Sequence, residues 1–238
     1  MDKKSKSHEP ICSKCPIMPD TMFNVCGFEV LDADLQNKTV ETYEKNAVMF
    51  HEGDECRGVF CVYAGVIKVT RKDVTGAERI LQFAKPGDLL GIPATVTRQA
   101  YHNSAHVLEA TSVCHIAKED FIDFMKKNPE FSLRVMKFFS KRIDYMEKKA
   151  KFVEETPLAG RLADMLLMLK QTYGINDQSE LNVSIATADL ANFVNADQGA
   201  LIVELKKMSN EKILAIHNNR IQFLSIEKLE ELIRPTQE

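Results

Sequence analysis

Residues 187–224 read TADLANFVNADQGALIVELKKMSNEKILAIHNNRIQFL, and they decide the architecture of the C-terminal half. Two helical segments, Thr187 to Val194 and Asp197 to Ser209, are separated by only two residues, so the chain must turn sharply between them. Apolar runs at 213–216 and 221–224 flank the polar sequence His-Asn-Asn-Arg, which predicts a two-stranded ribbon with its turn at Asn-Asn. Two helices joined by a tight turn and followed by a hairpin are typical of a winged helix-turn-helix.

The segments on either side support this interpretation. An amphipathic run, LAGRLADMLLMLKQTYG (158–174), follows a Thr-Pro pair and ends at Gly174, where glycine tolerates the left-handed backbone of a helix end. The apolar run LNVSI (181–185) predicts a short strand before the two helices. The stretch from Glu227 to Ile233 predicts a final helix that closes the unit.

The N-terminal half is rich in β-forming residues. From Val48 to Leu90, runs such as VFCVYAG, VIKVTRK and RILQFAK each end in a turn signal, and a further run spans His106 to Ile116. Glycines recur roughly every 11 to 12 residues, the spacing of a small antiparallel roll or sandwich. Two of them precede Asp, a pair that favours a turn. These glycines are Gly53, Gly65, Gly76 and Gly87. We therefore predict a β-roll.

Helical periodicity replaces the β pattern after Ile116. Lys118 to Lys127 predicts one short helix, and Pro129 suits the first turn of the next. Along that second helix, apolar residues alternate three and four apart and form a heptad seam. Such a seam suits pairing with the same helix of a second chain, and the alternative is that it packs only on the β-roll. The seam residues are Met136, Phe139, Ile143, Met146, Ala150 and Val153.

Composition excludes several classes of protein. The formal net charge of −3 argues against a protein that is basic throughout, so any nucleic-acid surface must be local. No run of about 18 apolar residues predicts a membrane span, and the Lys-containing start lacks the apolar region of a signal peptide, so we expect a cytoplasmic protein. The chain has no Gly-rich phosphate loop, nucleophile elbow or HExxH helix, and we expect no enzyme.

Five pieces of the chain, in this order, resemble the Crp/Fnr family, and the resemblance runs from about residue 12 to the end. The CxxC pair near the N-terminus and the AKPGD turn are similar to the branch common in Bacteroidetes-like bacteria. The pieces are AKPGDLLG (84–91), TSVCHI (111–116), the Pro-led dimer helix, TPLAGRLADMLLMLKQTYG (156–174) and ATADLANFV (186–194).

The resemblance implies an α+β protein with a cyclic-nucleotide-binding-like β-roll, a long dimerisation helix and a C-terminal winged helix-turn-helix. It implies a homodimeric transcription regulator that binds an inverted repeat in double-stranded DNA, and a contact with RNA polymerase is compatible with that role. A signal at the β-roll would reorder the dimer helix and so move the DNA-reading helices. The implied segments are an N-terminal Cys-containing segment (1–27), the β-roll (28–128), the dimerisation helix (129–155) and the DNA-binding domain (156–238).

Departures from the family pattern argue against cAMP as the signal. Cyclic-nucleotide binders of this family use a Gly-Glu pair and an Arg-Ser pair, because a buried phosphate needs a cation and backbone amides. Here Ile-Pro follows the glycine, and Asn occupies the cation position, although Arg98 could reach in from the loop. The implied effector pocket comprises Gly91, Ile92, Pro93, Arg98, Asn103 and Ser104.

A second departure lies in the presumed DNA-reading helix, where the family's Glu and Arg are replaced by Gly199 and Val203. Gln198 is the best remaining base reader, whereas Asp197 suits the helix N-cap. Three outcomes stay open: altered sequence preference, weak or nonspecific DNA binding, or a sensor protein whose degenerate helix pair contacts a protein partner. The predicted DNA-binding residues are Thr187, Asp197, Gln198, Ala200, Lys206, Lys207 and Arg220.

Four cysteines resemble the oxygen-sensing branch of the family, whose members bind a [4Fe-4S] cluster through N-terminal cysteines and one on the TSVC strand. Thiolates suit iron-sulfur or zinc, and reduced cytosolic thiols that bind no metal are the third alternative. The gap between the second and third cysteine is longer than that branch shows. We interpret Cys56 and Cys61 as ordinary packing or surface thiols. The predicted ligands are Cys12, Cys15, Cys26 and Cys114.

Overall fold

A computed structural model describes residues 6–7, 12–74, 76–217 and 220–233, without the side chains of 6–7, 145 and 148–154. The chain divides into two compact units between Arg142 and Ile143. Among the described residues, no helix is both long and apolar enough to cross a membrane. The bounds of the four predicted segments remain a prediction, because the division falls inside a helix.

The N-terminal unit combines an antiparallel sheet with short helices. Three 3-10 turns lie at Cys12–Lys14, Met18–Asp20 and Met22–Val25. The strands are β1 (Lys6–Ser7), β2 (Thr39–Tyr43), β3 (Val48–Phe50), β4 (Gly58–Lys72), β5 (Glu78–Ala84), β6 (Leu89–Leu90) and β7 (Ser104–Ala117). The helices are α1 (Phe28–Asp34), α2 (Ile92–Thr97), α3 (Lys118–Lys127) and α4 (Pro129–Glu155), which continues into the second unit.

The two longest strands, β4 and β7, form the centre of this sheet. Among the described residues the pairing order is β1-β2-β7-β4-β5, with β3 added to β7 and β6 added to β4. Every pairing is antiparallel, as the β-roll prediction requires. The predicted helices at 118–127 and 129–155 have the bounds that the sequence indicated.

Gly65 does not end a strand, contrary to the prediction of two short strands on either side of it. β4 runs continuously from Gly58 to Lys72, and its register against β7 shifts on both sides of Gly65. The backbone of Gly65 has a φ of +96°, and a Cβ there would lie 2.2 Å from the Oγ1 of Thr111. The glycine therefore permits a bulge and a close approach to β7 within one long strand.

Aromatic side chains fill the N-terminal core. Phe50 stacks on Tyr101 with ring centroids 4.0 Å apart, inside the roll. Outside the roll, Phe23 stacks on Phe131 at 4.9 Å, which ties the N-terminal segment to the start of α4. Both groups are buried, so the segment that carries Cys12 and Cys15 packs against the rest of its unit.

The C-terminal unit has the predicted order of helices and a hairpin. Its elements after α4 are α5 (Leu158–Tyr173), α6 (Thr187–Phe193), α7 (Gln198–Asn210), β8 (Leu214–His217), β9 (Arg220–Phe223) and α8 (Ile226–Ile233). α5 packs closely on α8, since a Cβ on Gly160 would lie 2.8 Å from the carbonyl oxygen of Leu232. The predicted turn at Asn218-Asn219 lies outside the described residues.

The predicted strand at 181–185 is wrong. Its side chains alternate between buried and less buried, as in a strand, because Leu181, Val183 and Ile185 enter the core. The segment has a bridge only at Leu181, which pairs with Ile175. Alternating burial without a continuous neighbouring strand leaves an extended loop, because a strand needs a ladder of hydrogen bonds.

Candidate DNA interface and candidate sensor site

The tight turn between α6 and α7 is held by an arginine that the sequence analysis did not single out. Asn195 has a left-handed φ of 55°, which lets the chain reverse within the turn. The guanidinium of Arg161 on α5 donates to the carbonyl oxygens of Val194 at 2.6 Å and Asn195 at 3.0 Å. A charged donor shared by two turn carbonyls fixes the angle at which α7 leaves α6.

Asp197 caps the start of α7. Its carboxylate accepts hydrogen bonds from the backbone amides of Gly199 at 2.8 Å and Ala200 at 3.1 Å. This confirms the N-cap interpretation, since a side-chain oxygen satisfies amides that have no partner within the helix. The Asp197 carboxylate therefore already accepts hydrogen bonds from the backbone of α7.

α7 has one buried face and one exposed face. Leu201, Leu205 and Met208 enter the core, and the residues between them are exposed apart from the half-buried Glu204. Among the predicted DNA-binding residues, those on α7 that are exposed are Gln198, Ala200, Lys206 and Lys207. The exposed part of α7 carries the amide of Gln198 near its N-terminus and two lysines near its C-terminus. The ammonium of Lys207 lies 3.9 Å from the carboxylate of Glu204.

The other two predicted DNA-binding residues lie outside α7. Thr187 begins α6 and is half-buried. Arg220 begins β9, is exposed, and lies 3.7 Å from the Glu180 carboxylate. Arg220 therefore holds an ion pair in the described state, and a surface pair of this kind exchanges partners at little cost.

The predicted dimer seam on α4 is largely exposed within the described residues. Met136, Ile143 and Met146 are 59%, 59% and 60% exposed. Phe139 is half-buried against the N-terminal core. The side chains of Ala150 and Val153 lie outside the described residues.

The predicted effector pocket is not assembled around a phosphate position. Arg98 points to the surface, where its guanidinium makes two hydrogen bonds to Glu119 at 2.9 and 3.3 Å. In the described state Arg98 does not reach into the pocket. Its pair with Glu119 is solvent-exposed and exchanges partners at little cost, so a role of Arg98 in the pocket stays a prediction. Ile92 is buried in the core, and Ser104 accepts a hydrogen bond from the Glu52 amide at 2.9 Å.

Tyr101 follows the α2 loop and ties it to the neighbouring strand. It is 2% exposed, accepts hydrogen bonds from the amides of Arg57 and Gly58, and donates to the carbonyl of Gly58 at 3.0 Å. Gly91 has a φ of +89°, and a Cβ there would meet the carbonyl oxygen of Gly58 at 2.7 Å. The remaining pocket residues, Pro93 and Asn103, are exposed and half-buried respectively.

A cavity of about 430 Å³ lies instead between the N-terminal segment and the sheet, and four cysteines line it. Two come from the N-terminal segment and two from the central strands β4 and β7. Lys38 lines the same cavity and is 6% exposed, with its ammonium donating to the carbonyl of Leu35 at 3.0 Å. The four thiols belong to Cys12, Cys15, Cys61 and Cys114.

Cys61 is the site residue that the sequence analysis missed, and Cys26 is the predicted one that lies elsewhere. Cys61 stands directly opposite Cys114 in the β4–β7 register, and directly opposed residues share one face of a sheet. Cys26 does not line the cavity, and its amide bonds the carbonyl of Phe23. The pairing of β4 with β7 is the signal that would have identified Cys61.

Burial raises the pKa of three of these thiols, those of Cys12, Cys61 and Cys114, and so favours their protonated form. It raises the pKa of Cys114 to about 12, with Cys15 and Cys12 adding to the rise because neighbouring thiolates repel each other. Burial also raises the pKa of Cys61 well above its ordinary value, and Cys114 adds to that effect. Lys38 acts in the opposite direction on Cys12 and Cys114. A bound cation would be needed to convert the group to thiolates.

The predicted ligand set does not fit a metal as it stands. Cys26 lies outside the cavity, and among the described residues no group of three or more His, Cys, Asp and Glu side chains is arranged to hold a metal ion. Thiolates are the ligand type that soft metals and clusters prefer, and the cavity brings four thiols into one region of the fold. The four thiols would have to move closer to one another to bind a metal or cluster.

Comparison with known proteins gives two domain matches and full-length relatives. A cyclic nucleotide-binding domain model matches residues 40–128, and a Crp-like helix-turn-helix domain model matches residues 160–232. The chain is 25% identical over 228 residues to the anaerobic regulatory protein of Aggregatibacter actinomycetemcomitans, covering 93% of this chain and 86% of that one. It is 26% identical to the fumarate and nitrate reduction regulatory protein of Vibrio cholerae, covering 93% and 89%.

A solved structure shows the same fold. FixK2 from Bradyrhizobium japonicum superimposes with a TM-score of 0.73 at 15% identity, covering 84% of this chain and 98% of that one. At this identity the likeness concerns the fold alone.

A β-roll unit followed by a helix-turn-helix unit defines the class of two-domain DNA-binding regulators. Within that class the chain belongs to the Crp/Fnr family of transcription regulators. The predicted likeness to the Bacteroidetes-like branch stays a prediction.

Proposed function

We propose that this regulator acts as a homodimer that binds an inverted repeat in double-stranded DNA, with α7 of each chain in the major groove. The observation that carries this proposal is the exposed face of α7, presented beyond a turn that Arg161 braces. Two-fold proteins of the helix-turn-helix type read two-fold sites, with half-sites about one helical turn apart. In this role the protein acts through DNA and RNA polymerase and catalyses no reaction.

The seam on α4 supports the homodimer. Three of its large apolar side chains are more than half exposed in the single chain, and a second copy of α4 offers the same seam in return. Burying such side chains contributes several kcal/mol at about 25 cal/mol per Å² of apolar area. The signal would then act on α4, which changes the separation of the two reading helices.

The signal is proposed to be something other than a cyclic nucleotide. The outward ion pair of Arg98 with Glu119 leaves the α2 region without the cation that a phosphate requires. The cavity of thiols offers a different chemistry, one that suits iron-sulfur, with zinc as a second ligand of the same soft type. A bound cluster would supply an oxygen- or nitric-oxide-sensitive link between the N-terminal segment and the sheet, held by cavity thiols.

A second candidate function is a sensor whose helix pair contacts a protein instead of DNA. The exposed apolar side chains of Ile202 and Val203 on α7 favour it, since apolar residues are more often used against proteins than against phosphates. The two functions differ in salt dependence, because only DNA binding releases counterions.

The test of DNA binding is fluorescence anisotropy of the full-length protein with a random-sequence duplex over a range of salt concentrations. The wild type should bind with a strong salt dependence. The double variant Lys206→Ala, Lys207→Ala should weaken binding to all sequences alike and flatten the salt dependence by about one to two phosphate contacts. Glu211→Ala serves as a control, because it removes an exposed charge just beyond α7. Binding that is absent, or equally strong in the lysine variant, would favour the protein-partner function.

A further inference from the structure

The face of α7 that points away from the core has an apolar centre. Successive residues of a helix are about 100° apart, so Val203 lies nearly opposite the face formed by Leu201, Leu205 and Met208. The side chain of Val203 is 67% exposed. Single exposed apolar residues are common on protein surfaces, so its location on the reading helix matters more than its exposure.

The surroundings of Val203 differ on its two sides. One turn before it, Gly199 has no side chain and Ala200 has only a methyl group, and both are exposed. Asp197 turns its carboxylate back onto the amides of those two residues. One turn after it stands the exposed Lys206. The surface of α7 therefore lacks bulky side chains in the turn before Val203 and carries a positive charge in the turn after it.

Because Gly199 and Ala200 have almost no side chain, the backbone of α7 can approach the floor of the major groove closely. The valine side chain is short, so it reaches a base edge only when the backbone is that close. The thymine C5-methyl group is the only apolar group on the major-groove edges of the four bases, and side chains without polar atoms recognise it. A lysine one turn farther along can reach the phosphates that border the groove.

We propose that Val203 determines specificity by packing against the C5-methyl group of one thymine in each half-site. The inference rests on the proposed function, in which α7 lies in the major groove. Polar readers such as arginine select guanine, and a valine at the same place shifts the preference to a T·A pair. Gln198, in the first turn of α7, suits an adenine.

The experiment removes the methyl group from the DNA. The probe is the duplex most enriched by the full-length protein from random double-stranded DNA, with each thymine replaced in turn by uracil, which pairs like thymine and lacks only the methyl. Replacement at one position per half-site should weaken wild-type binding about three- to tenfold, the range expected for one buried methyl group.

Variants of the protein identify the partner of that methyl. Val203→Ser should bind the thymine and uracil duplexes with equal affinity, because a hydroxyl group replaces the apolar contact. Val203→Ala should discriminate between them less than the wild type, because its side chain is shorter, and alanine favours the helix, which guards against loss of folding. The control is Leu224→Ser, which removes another exposed apolar side chain of the same unit that lies outside α7. It should discriminate thymine from uracil as the wild type does.

Each unfavourable result has its own meaning. If uracil weakens binding nowhere, or if both Val203 variants discriminate as strongly as the wild type, Val203 does not read thymine, although DNA binding stands. If the protein enriches no duplex, the proposed function fails together with this inference, and the salt dependence of binding to a random-sequence duplex then distinguishes nonspecific DNA binding from a protein partner.

Discussion

Asp197 sets the first turn of the reading helix by accepting two hydrogen bonds, from the amides of Gly199 and Ala200. We predict that Asp197→Ala lowers the free energy of unfolding of the C-terminal unit by about 1 kcal/mol, the usual value of an N-cap. Asp197→Asn is the matched control and should retain most of the stability, because its amide oxygen accepts the same bonds. Urea denaturation of the two variants measures the difference. Equal losses in both would mean that the charge matters and the cap does not.

Two sets of four thiols are candidates for the cluster ligands: the cavity set includes Cys61, and the set that the family resemblance implied includes Cys26 instead. Cys61 lines the cavity opposite Cys114, whereas Cys26 lies near Glu130, which adds to the rise in its pKa that burial causes. We predict that anaerobic reconstitution of the full-length protein gives about four irons per chain. Cys61→Ala and Cys114→Ala should abolish iron uptake, and Cys26→Ala should retain it.

Iron content and the visible absorption spectrum are the measurements. Loss of iron in Cys26→Ala with retention in Cys61→Ala would restore the ligand set that the family resemblance implied. The same small uptake in wild type and Cys114→Ala would mean that the cysteines hold no cluster.

These cysteines also show which site residues could be predicted from the sequence and which could not. The CxxC pair and Cys114 could be recognised from the sequence because spacing and the TSVC strand carry the family resemblance. Cys61 could not, since its place depends on the register of two strands that are far apart in the chain. Arg161 was missed for the same reason, because its partners in the turn lie 33 and 34 residues away.

At the scale of elements, helices were easier to predict than strands. The bounds of α3 and α4 follow from local signals such as the proline at the start of α4. Strands depend on distant neighbours: Gly65 permits a bulge inside β4, and the run at 181–185 has no strand to continue its pairing. A glycine or an alternating pattern alone does not reveal which neighbour is present.

The seam on α4 leads to a prediction at this scale. Ile143→Glu with Met146→Glu places two charges at the exposed centre of the seam, and the buried interface of a dimer would not tolerate them unpaired. We predict that this double variant is monomeric by light scattering, whereas the wild type is a dimer. Lys137→Glu with Lys141→Glu is the control, because both residues are exposed on the same helix outside the seam and should leave the dimer intact. A dimeric seam variant would show that the dimer interface lies outside the seam.

At the scale of the whole molecule, the division between the two units falls within α4, so one helix belongs to both. In the proposed function this helix also joins the two chains. A ligand in the N-terminal unit can influence DNA binding only if its affinity differs between two arrangements of the dimer, and the same coupling must make DNA influence the ligand. The thiol cavity beside β4 and β7 is the place where such a ligand is proposed to act.

The most direct measurement of the central claim is selection by the full-length protein from random double-stranded DNA, followed by sequencing of the enriched duplexes. A homodimer that reads through α7 should enrich an inverted repeat with half-sites about one helical turn apart. Gln198→Ala should enrich the same repeat with a relaxed preference at one position of each half-site, because it removes a base contact and leaves the phosphate contacts in place. Enrichment of no motif, or of a single half-site without its inverted partner, would contradict the account of a dimeric, sequence-reading regulator.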